Sequence, residues 1–440
     1  MALCLGLGAQ EEAVRLFTED PDRASNNMHS YEFPEIYDSP VPKGFKPFYI
    51  SHYGRHGSRY EQNSTFGRAA QQGFAYLDSL GLLTPAGKSL WADVEAVVAA
   101  HVGMEGSLTP RGAREHQMLA ARMADRYPEV FKDKNRQEVN SFSSTNFRCI
   151  VSMCNFTYSL KEKFPKQQFT FTSAERFMSY INPSLSVRRP GEPPRERSAM
   201  PAGFRPSAPA APTRYTPATG EPGYDFTRFL TPLVTDLNAA LKALGNPESF
   251  VRAIYTTGGL CQLIDFLGID IYRKYFTPQE LVYFWNSGND NIYRMWGGSV
   301  ENGDVIRYAI RPLMMDFINK ADAAIQPDSH RAADLRFGHD TSILPLFALM
   351  GIDDLQGRVF PYREAHNNGW YAFFQIPMAT NIQMIFYRNK KGEVLTKVLY
   401  NEKEVKIPGI EPVSGPYYRW PELKAHFLKL CEKAAEPWNQ

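Results

Sequence analysis

The chain has 440 residues, a formal net charge of +2 at pH 7 and 43% hydrophobic residues. That is enough for a large core and two structural units, and the scattered basic residues form no stripe of the kind that binds nucleic acid. No apolar run is long enough to span a bilayer, and 5 cysteines are too few for a disulfide scaffold.

Residues 1–30 begin with a small apolar run, Met1 to Ala9, ahead of polar Gln10-Glu11. It resembles the tail of a secretory leader, although the basic stretch that normally precedes one is missing. The segment is expected to be a leader remnant or a frayed terminus, and the protein to be periplasmic or secreted. Phe48 to Ile50 then read as a short strand running into Ser51-His52-Tyr53-Gly54-Arg55-His56-Gly57-Ser58-Arg59-Tyr60. Thr84-Pro85 and Thr109-Pro110 each open a helix, a cap residue followed by proline at the first helical position. The first carries Leu90, Trp91, Val94, Val97 and Val98; the second carries Ala113, Leu119 and Met123.

Val139 to Phe142 predict a second strand, followed by the polar loop Ser143-Ser144-Thr145 and a helix carrying Arg148, with Ser144 or Thr145 as its cap. Cys149 and Cys154 diverge on that helix and are not expected to bond. Residues 188–222 are dense in proline, arginine, alanine and glycine. They predict a disordered or extended insertion. Thr231 to Leu244 and Pro278 to Trp285 have helical patterns. Asp334 to Phe337 predict a third strand, followed by Gly338-His339-Asp340-Thr341 and a helix from Ile343 to Met350 closed by Gly351. Ile382 to Tyr387 and Val394 to Tyr400 flank Asn389-Lys390-Lys391-Gly392 and read as a hairpin.

Three strand-to-helix junctions therefore carry the polar residues of interest. Junctions of this kind are where open α/β sheets place ligands, and helix starts favour anions. Arg55 and Arg59 on one tight loop can address two phosphate oxygens through their fixed guanidinium forks. Arg148 at the second junction can address a third. His56 lies between the loop arginines and can attack phosphorus. His339-Asp340 at the third junction supplies a donor and a carboxylic acid able to protonate a leaving oxygen. No Gly-x-Ser-x-Gly, His-Glu-x-x-His or P-loop signature is present. His52 is expected to be structural and His116 to be a partly buried helix residue. Asn63-Ser64-Thr65 and Asn155-Phe156-Thr157 match the glycosylation pattern weakly.

The sequence resembles the histidine acid phosphatases, a branch of the histidine phosphatase superfamily. Arg55-His56-Gly57-Ser58-Arg59 matches that family's Arg-His-Gly-x-Arg-x-Pro, Leu108-Thr109-Pro110-Arg111-Gly112 its Leu-Thr-Pro-x-Gly, and His339-Asp340 its C-terminal motif. Ser144-Thr145 followed by Arg148 resembles its third phosphate arginine. The resemblance runs from about residue 45 to about 430. It implies that Arg55, Arg59, Arg148 and His339 bind phosphate, that His56 is transiently phosphorylated, and that Asp340 protonates the leaving group. It also implies that no metal or other cofactor is used.

The implied fold is α/β, a mainly parallel central sheet with flanking helices plus a mostly helical cap domain. The expected phosphatase domain takes residues 31–175 and 326–435, and the cap residues 176–325. The expected partner is a small phosphomonoester, an inositol phosphate or a sugar phosphate, hydrolysed without metal. A phosphomutase or phosphotransferase using the same phosphohistidine and a non-catalytic phosphate-binding protein are the alternatives. One departure stands in the first motif: the family's proline is absent, and Tyr60-Glu61 follow Arg59. A second concerns the substrate. The flanks look closest to the inositol-polyphosphate phosphatase branch, which carries His-Ala-Glu, whereas His339-Asp340-Thr341 follows the bacterial phytases and glucose-1-phosphatases.

Overall fold

The computed structural model describes residues 2–63, 65–191, 224–352 and 357–439. The chain forms two compact units. One takes residues 2–29, 59–109 and 224–290; the other takes 30–58, 110–191 and 291–439.

The second unit holds the sheet. Its strands are β1 (Lys46–Arg55), β2 (Glu138–Ser143), β3 (Gln168–Ser173), β4 (Arg331–Gly338), β5 (Asn381–Arg388), β6 (Val394–Tyr400), β7 (Lys403–Glu404) and β8 (Tyr417–Arg419). Their order is β3-β2-β4-β1-β5-β6-β7, with β8 beside β6. The expected α/β architecture is present: β3, β2, β4 and β1 run parallel. The predicted hairpin, β5 and β6, extends this parallel half with antiparallel pairing. β1 is buried from Phe48 to Arg55 and β4 from Ala332 to Gly338, the pattern of central strands covered on both faces.

Alternation along β1 divides the core. Tyr49 and Tyr53 face Leu313, Met314 and Phe317 of helix Gly303–Ile325 and Phe347 of helix Asp340–Met350. Ile50, with Leu335 and Phe337 of β4, joins Leu119 and Met123 of helix Pro110–Arg126 and Phe156 and Leu160 of helix Phe147–Lys163. Helix Gly303–Ile325 thus lies against the sheet, where the expected domains had assigned it to the cap.

The first unit is helical among its described residues and includes helices Arg68–Ser79, Pro85–His101 and Pro247–Leu260. Thr84 caps the second of these as expected, accepting the Gly87 amide at 3.1 Å. Residues 59–109 belong to this unit and not to the sheet-bearing one. Residues 10–29 are not frayed: helix Ala2–Glu19 is followed by a 3-10 segment, Pro21–Met28. Leu16 and Phe17 are buried, Phe17 sits edge-on to Trp285 at 5.4 Å, and the Tyr255 hydroxyl donates to the Ala24 carbonyl. The helical pattern from Thr231 to Leu244 is broken. A 3-10 turn, Thr231–Leu233, gives way to extended Val234, and Asp236 caps a new helix, Leu237–Leu244.

The proline- and arginine-rich stretch lies outside the described residues from 192 onward. Just before it, Arg189 pairs with Asp304 at 2.7 Å and the Trp438 indole donates to the Arg188 carbonyl at 2.8 Å. No helix among the described residues is long and apolar enough to cross a membrane.

One buried charge cluster underlies the sheet. Arg336 of β4 is fully buried and meets Asp316 at 2.5 Å; it also donates to the Ser51 hydroxyl at 3.0 Å and the His52 carbonyl at 3.2 Å. Lys320 pairs with the same carboxylate. Burial would raise the Asp316 carboxyl, but Arg336 and Lys320 outweigh it and hold the group below the usual carboxylate range. The folded carboxyl therefore ionises more readily than the unfolded one. Its contribution is complete above the unfolded pKa and is lost as pH falls through the lower folded value. Asp316→Asn should cost about 3 kcal/mol near neutrality, because it takes the nearest counter-charge from a buried guanidinium. The variant should also lose part of the wild-type fall in urea midpoint between about pH 6 and pH 3.

Candidate active site

The carboxyl ends of β1, β2 and β4 finish in register. Arg55 pairs with Gly338, and Ser143 with Phe337. The His56 amide donates to the Gly338 carbonyl at 2.9 Å, and the Ser144 amide to the Phe337 carbonyl at 3.0 Å. On the other side of β1, the Ala379 amide donates to the His56 carbonyl at 3.0 Å. Helices start directly beyond two of these strands. His339 occupies the cap position of helix Asp340–Met350. Asn146, rather than Ser144 or Thr145, caps helix Phe147–Lys163, its side chain accepting the Arg148 amide at 3.3 Å. The positive ends of both helices are therefore at this edge of the sheet, favouring an anion there.

His56 is 1% exposed, and its Nδ1 lies 2.9 Å from the Gly57 carbonyl oxygen. A carbonyl can only accept, so Nδ1 carries the hydrogen and the neutral ring keeps its lone pair on Nε2. The loop beyond is held by several contacts. The Gly57 amide donates to Ser152 Oγ at 3.2 Å. The Ser58 amide and hydroxyl both donate to Glu115, each at 2.7 Å. Burial raises the Glu115 carboxyl, while these Ser58 contacts and Arg111 oppose the rise. Gly57 has a steric reason to be glycine: a Cβ there would lie 2.5 Å from the carbonyl oxygen of Gly112 and 2.8 Å from its Cα. The glycines of the first and second motifs thus meet backbone to backbone.

Arg55, the last residue of β1, is fully buried. Its Nη2 lies 2.7 Å from Asp340 Oδ2, and its Nη1 donates to the Ile376 carbonyl at 2.7 Å. Asp340 Oδ1 accepts the Thr341 amide at 3.0 Å. Arg148 Nη1 donates to the Asn146 side chain at 2.9 Å, and its Nη2 lies 3.5 Å from His339 Nδ1. The His56 and His339 rings stand edge to face, 5.7 Å between centroids. Five of the six predicted residues, Arg55, His56, Arg148, His339 and Asp340, therefore occupy one edge of one unit. Arg59 begins the stretch assigned to the helical unit. It forms a bridge with Leu108, and its Nη1 donates to the Tyr60 carbonyl at 3.0 Å. Glu61 is turned onto its own loop, accepting the amides of Gln62 at 2.7 Å and Asn63 at 3.2 Å.

A second ring of contacts around His339 was not anticipated. Tyr53 receives the His339 amide on its hydroxyl at 3.0 Å and donates to the Ile181 carbonyl at 2.8 Å. Ser144 Oγ lies 2.9 Å from His339 Nε2. The Cys149 thiol donates to the Gly338 carbonyl at 3.2 Å, and burial pushes it up to about 11. Only Ser144 carried a sequence signal, as a cap candidate. Cys149 and Cys154 are both free thiols, as expected. His52 is buried and stacked on Phe156, with its ring beneath Gly54. His116 is buried edge-on to Phe156 and Phe337; burial pushes it down to about 3. Phe156 and Thr157 are buried inside their helix, so the Asn155 pattern is not an open acceptor site. In the other glycosylation pattern, Ser64 lies outside the described residues.

No family model matches the sequence. Among solved structures, a multiple inositol polyphosphate phosphatase of Bifidobacterium longum, in complex with phosphate, is similar with a TM-score of 0.70 at 18% identity. The match covers 92% of this chain and 97% of that one. The phytase from D. castellii matches with a TM-score of 0.63 at 16% identity, covering 94% of this chain and 87% of that one. The chain has the fold of these phosphatases. The α/β fold with a helical unit expected from the motifs is thereby shared with these structures over 92–94% of the chain. At these identities the likeness is one of fold, and the chemistry rests on the side chains above.

Gly57→Ala should separate the His56 loop from Gly112. It should lower stability by about 1–3 kcal/mol, the range for inserting a methyl into a packed site. Chemical denaturation measures the loss, and Ser58→Ala, which removes only a hydroxyl from the same loop, provides the comparison.

Proposed function

We propose that the protein is a metal-independent phosphomonoester hydrolase acting through a phosphohistidine. The observation that carries this reading is the contact of His56 Nδ1 with the Gly57 carbonyl at 2.9 Å, which assigns the hydrogen to Nδ1 and makes Nε2 the nitrogen for attack. A histidine used only for binding would be expected to present an N–H to the phosphate oxygens instead.

The remaining residues take roles that follow from their chemistry. Arg55, Arg148 and His339 hold the non-bridging oxygens and neutralise charge at a helix-lined edge. Arg59 is assigned a further oxygen from its place in the first motif. Attack by Nε2 forms an N–P bond as the ester P–O bond breaks, and Asp340 gives its proton to the departing oxygen. Water then attacks the phosphohistidine, and Asp340 takes a proton from it. The Arg55–Asp340 contact at 2.7 Å fits this cycle: a phosphate bound to Arg55 replaces that contact and leaves the carboxyl facing the bridging oxygen. The arginines supply the positive charge for which other phosphatases recruit metal ions.

The substrate class we favour is inositol phosphates, with sugar phosphates next. The support is the fold shared with a multiple inositol polyphosphate phosphatase and a phytase. We further place the protein in the periplasm or outside the cell, on the apolar run at residues 1–9.

Phosphate release across phytate, glucose-1-phosphate and simple aryl and alkyl phosphates tests the reading. His56→Ala should reduce release by ~10³-fold or more, as removal of a nucleophile does. A chelator should leave the rate unchanged; loss of turnover on chelation would overturn the proposal, and transfer to an added alcohol with little free phosphate would indicate a phosphotransferase. Asp340→Ala should slow alkyl phosphates by about 10²–10⁴-fold. Aryl phosphates should be slowed far less, since their leaving groups need little protonation; equal losses on both would remove Asp340 from the acid role.

A further inference from the structure

His339 is asked to do incompatible things by its neighbours. Its Nδ1 faces Arg148 Nη2 at 3.5 Å. A guanidinium only donates, so this nitrogen carries the lone pair, and the hydrogen of the neutral ring is on Nε2. An ionised phosphate oxygen only accepts, so a His339 that binds one through the side shared with Arg148 needs its hydrogen on Nδ1. A ring that stays neutral then holds opposite tautomers in the two states.

What lies against Nε2 decides whether it can. The Cys149 thiol is 3.6 Å from Nε2, but its hydrogen is directed to the Gly338 carbonyl at 3.2 Å. Ser144 Oγ is 2.9 Å from Nε2, and a hydroxyl can give or take a hydrogen bond. Its backbone is fixed by the Phe337 carbonyl, and its oxygen accepts the Asn146 amide at 3.3 Å. A second lone pair is left to accept from Nε2–H, or the hydroxyl hydrogen can turn to donate to it. Ser144 is fully buried and His339 is 7% exposed, so neither orientation competes with bulk water.

We propose that Ser144 is a positioning residue that lets His339 change tautomer when phosphate binds. In the unliganded site Nε2–H donates to Ser144 Oγ. With phosphate in place, one proton enters at Nδ1 and one leaves Nε2, both exchanged with water through the part of His339 that solvent still reaches. The ring stays neutral, the Ser144 hydroxyl turns to donate to Nε2, and Nδ1–H faces the phosphate. The groups facing the ring are Ser144, Arg148 and Cys149 at the start of helix Phe147–Lys163 and His56 after β1, while Tyr53 on β1 holds the His339 backbone amide. Asp340, next in the chain, is paired with Arg55. This proposal deepens the phosphatase reading and rests on phosphate binding at this edge.

The test is nitrogen NMR of the full chain labelled at histidine, with His339→Gln identifying the His339 signals, before and after addition of inorganic phosphate. The expected result is an Nε2–H ring without phosphate and an Nδ1–H ring with it. A ring that keeps Nε2–H, or becomes doubly protonated, when phosphate is bound would overturn the role of Ser144 and leave the phosphatase reading standing. Failure of the wild-type chain to bind phosphate would overturn both. Ser144→Ala should weaken phosphate binding by roughly tenfold or more, the size of effect when a buried polar atom loses its partner, and Ser144→Thr should restore it. Unchanged binding by Ser144→Ala would also sink the proposal.

Discussion

The site depends on the parallel pairing of β1 with β4. That pairing sets Arg55 opposite Gly338 and fixes the His56 amide on the Gly338 carbonyl at 2.9 Å. Parallel strands deliver their carboxyl ends to the same side, and β2 joins them there through its pairing with β4. A slip of one residue would turn every side chain of β1 to the opposite face. It would send Tyr49 and Tyr53 out of one core and Ile50 out of the other. The hydrophobic alternation that stabilises the sheet is thus also what aims His56. The antiparallel neighbour β5 closes the other side of β1, and the Ala379 amide secures the His56 carbonyl from just before that strand. The backbone on each side of the histidine is therefore fixed without using its side chain.

Two buried arginines on adjacent strands show how burial can serve different ends. Both Arg55 and Arg336 are fully buried, and an interior guanidinium is tolerable only with charged and hydrogen-bonding partners. Arg336 is enclosed by Asp316, the Ser51 hydroxyl and the His52 carbonyl, and lies over the Phe317 ring at 4.2 Å. These contacts tie helix Gly303–Ile325 to the sheet. Arg55 is matched instead by Asp340, whose side chain is 14% exposed, and by the Ile376 carbonyl. One arginine joins elements of the fold; the other meets a carboxylate that solvent can reach.

Much of this was legible because local rules and motifs agreed. β2, β4, the hairpin and the helices opened by Thr84-Pro85 and Thr109-Pro110 lie where periodicity and cap chemistry put them. Arg148, His339 and Asp340 could be named because each sits at a strand-to-helix junction, and Arg55 and His56 because they stand in the first motif at the end of β1. β3 escaped notice because Gln168–Ser173 is mostly polar and lies at an edge of the sheet. That residues 10–29 are ordered was not legible, because the partners that hold them, such as Trp285 against Phe17, lie far along the chain. The Asn146 cap lay one residue beyond the expected threonine and two beyond the expected serine, since any of the three side chains can fill that role. Ser144, Cys149 and Tyr53 as neighbours of His339, and Asp316 beneath Arg336, are products of tertiary packing. No spacing in the sequence announces them.

The meeting of Gly57 with Gly112 has a consequence for how such a protein can be altered. The chain leaves the sheet-bearing unit after Ser58 and returns at Pro110. Gly57 and Gly112 touch just inside those two points, and Glu115 grips Ser58 from the returning helix. The excursion between them therefore starts and ends at a fastened joint. The cost of bringing the ends of the excursion together is thus already met by the sheet-bearing unit. Its interior is held elsewhere: Phe74 packs edge-on to Phe250 at 4.8 Å and the Thr84 amide donates to the Leu233 carbonyl at 3.0 Å, so substitutions within residues 65–109 answer to the core of the helical unit, while the backbone that aims His56 keeps its own supports.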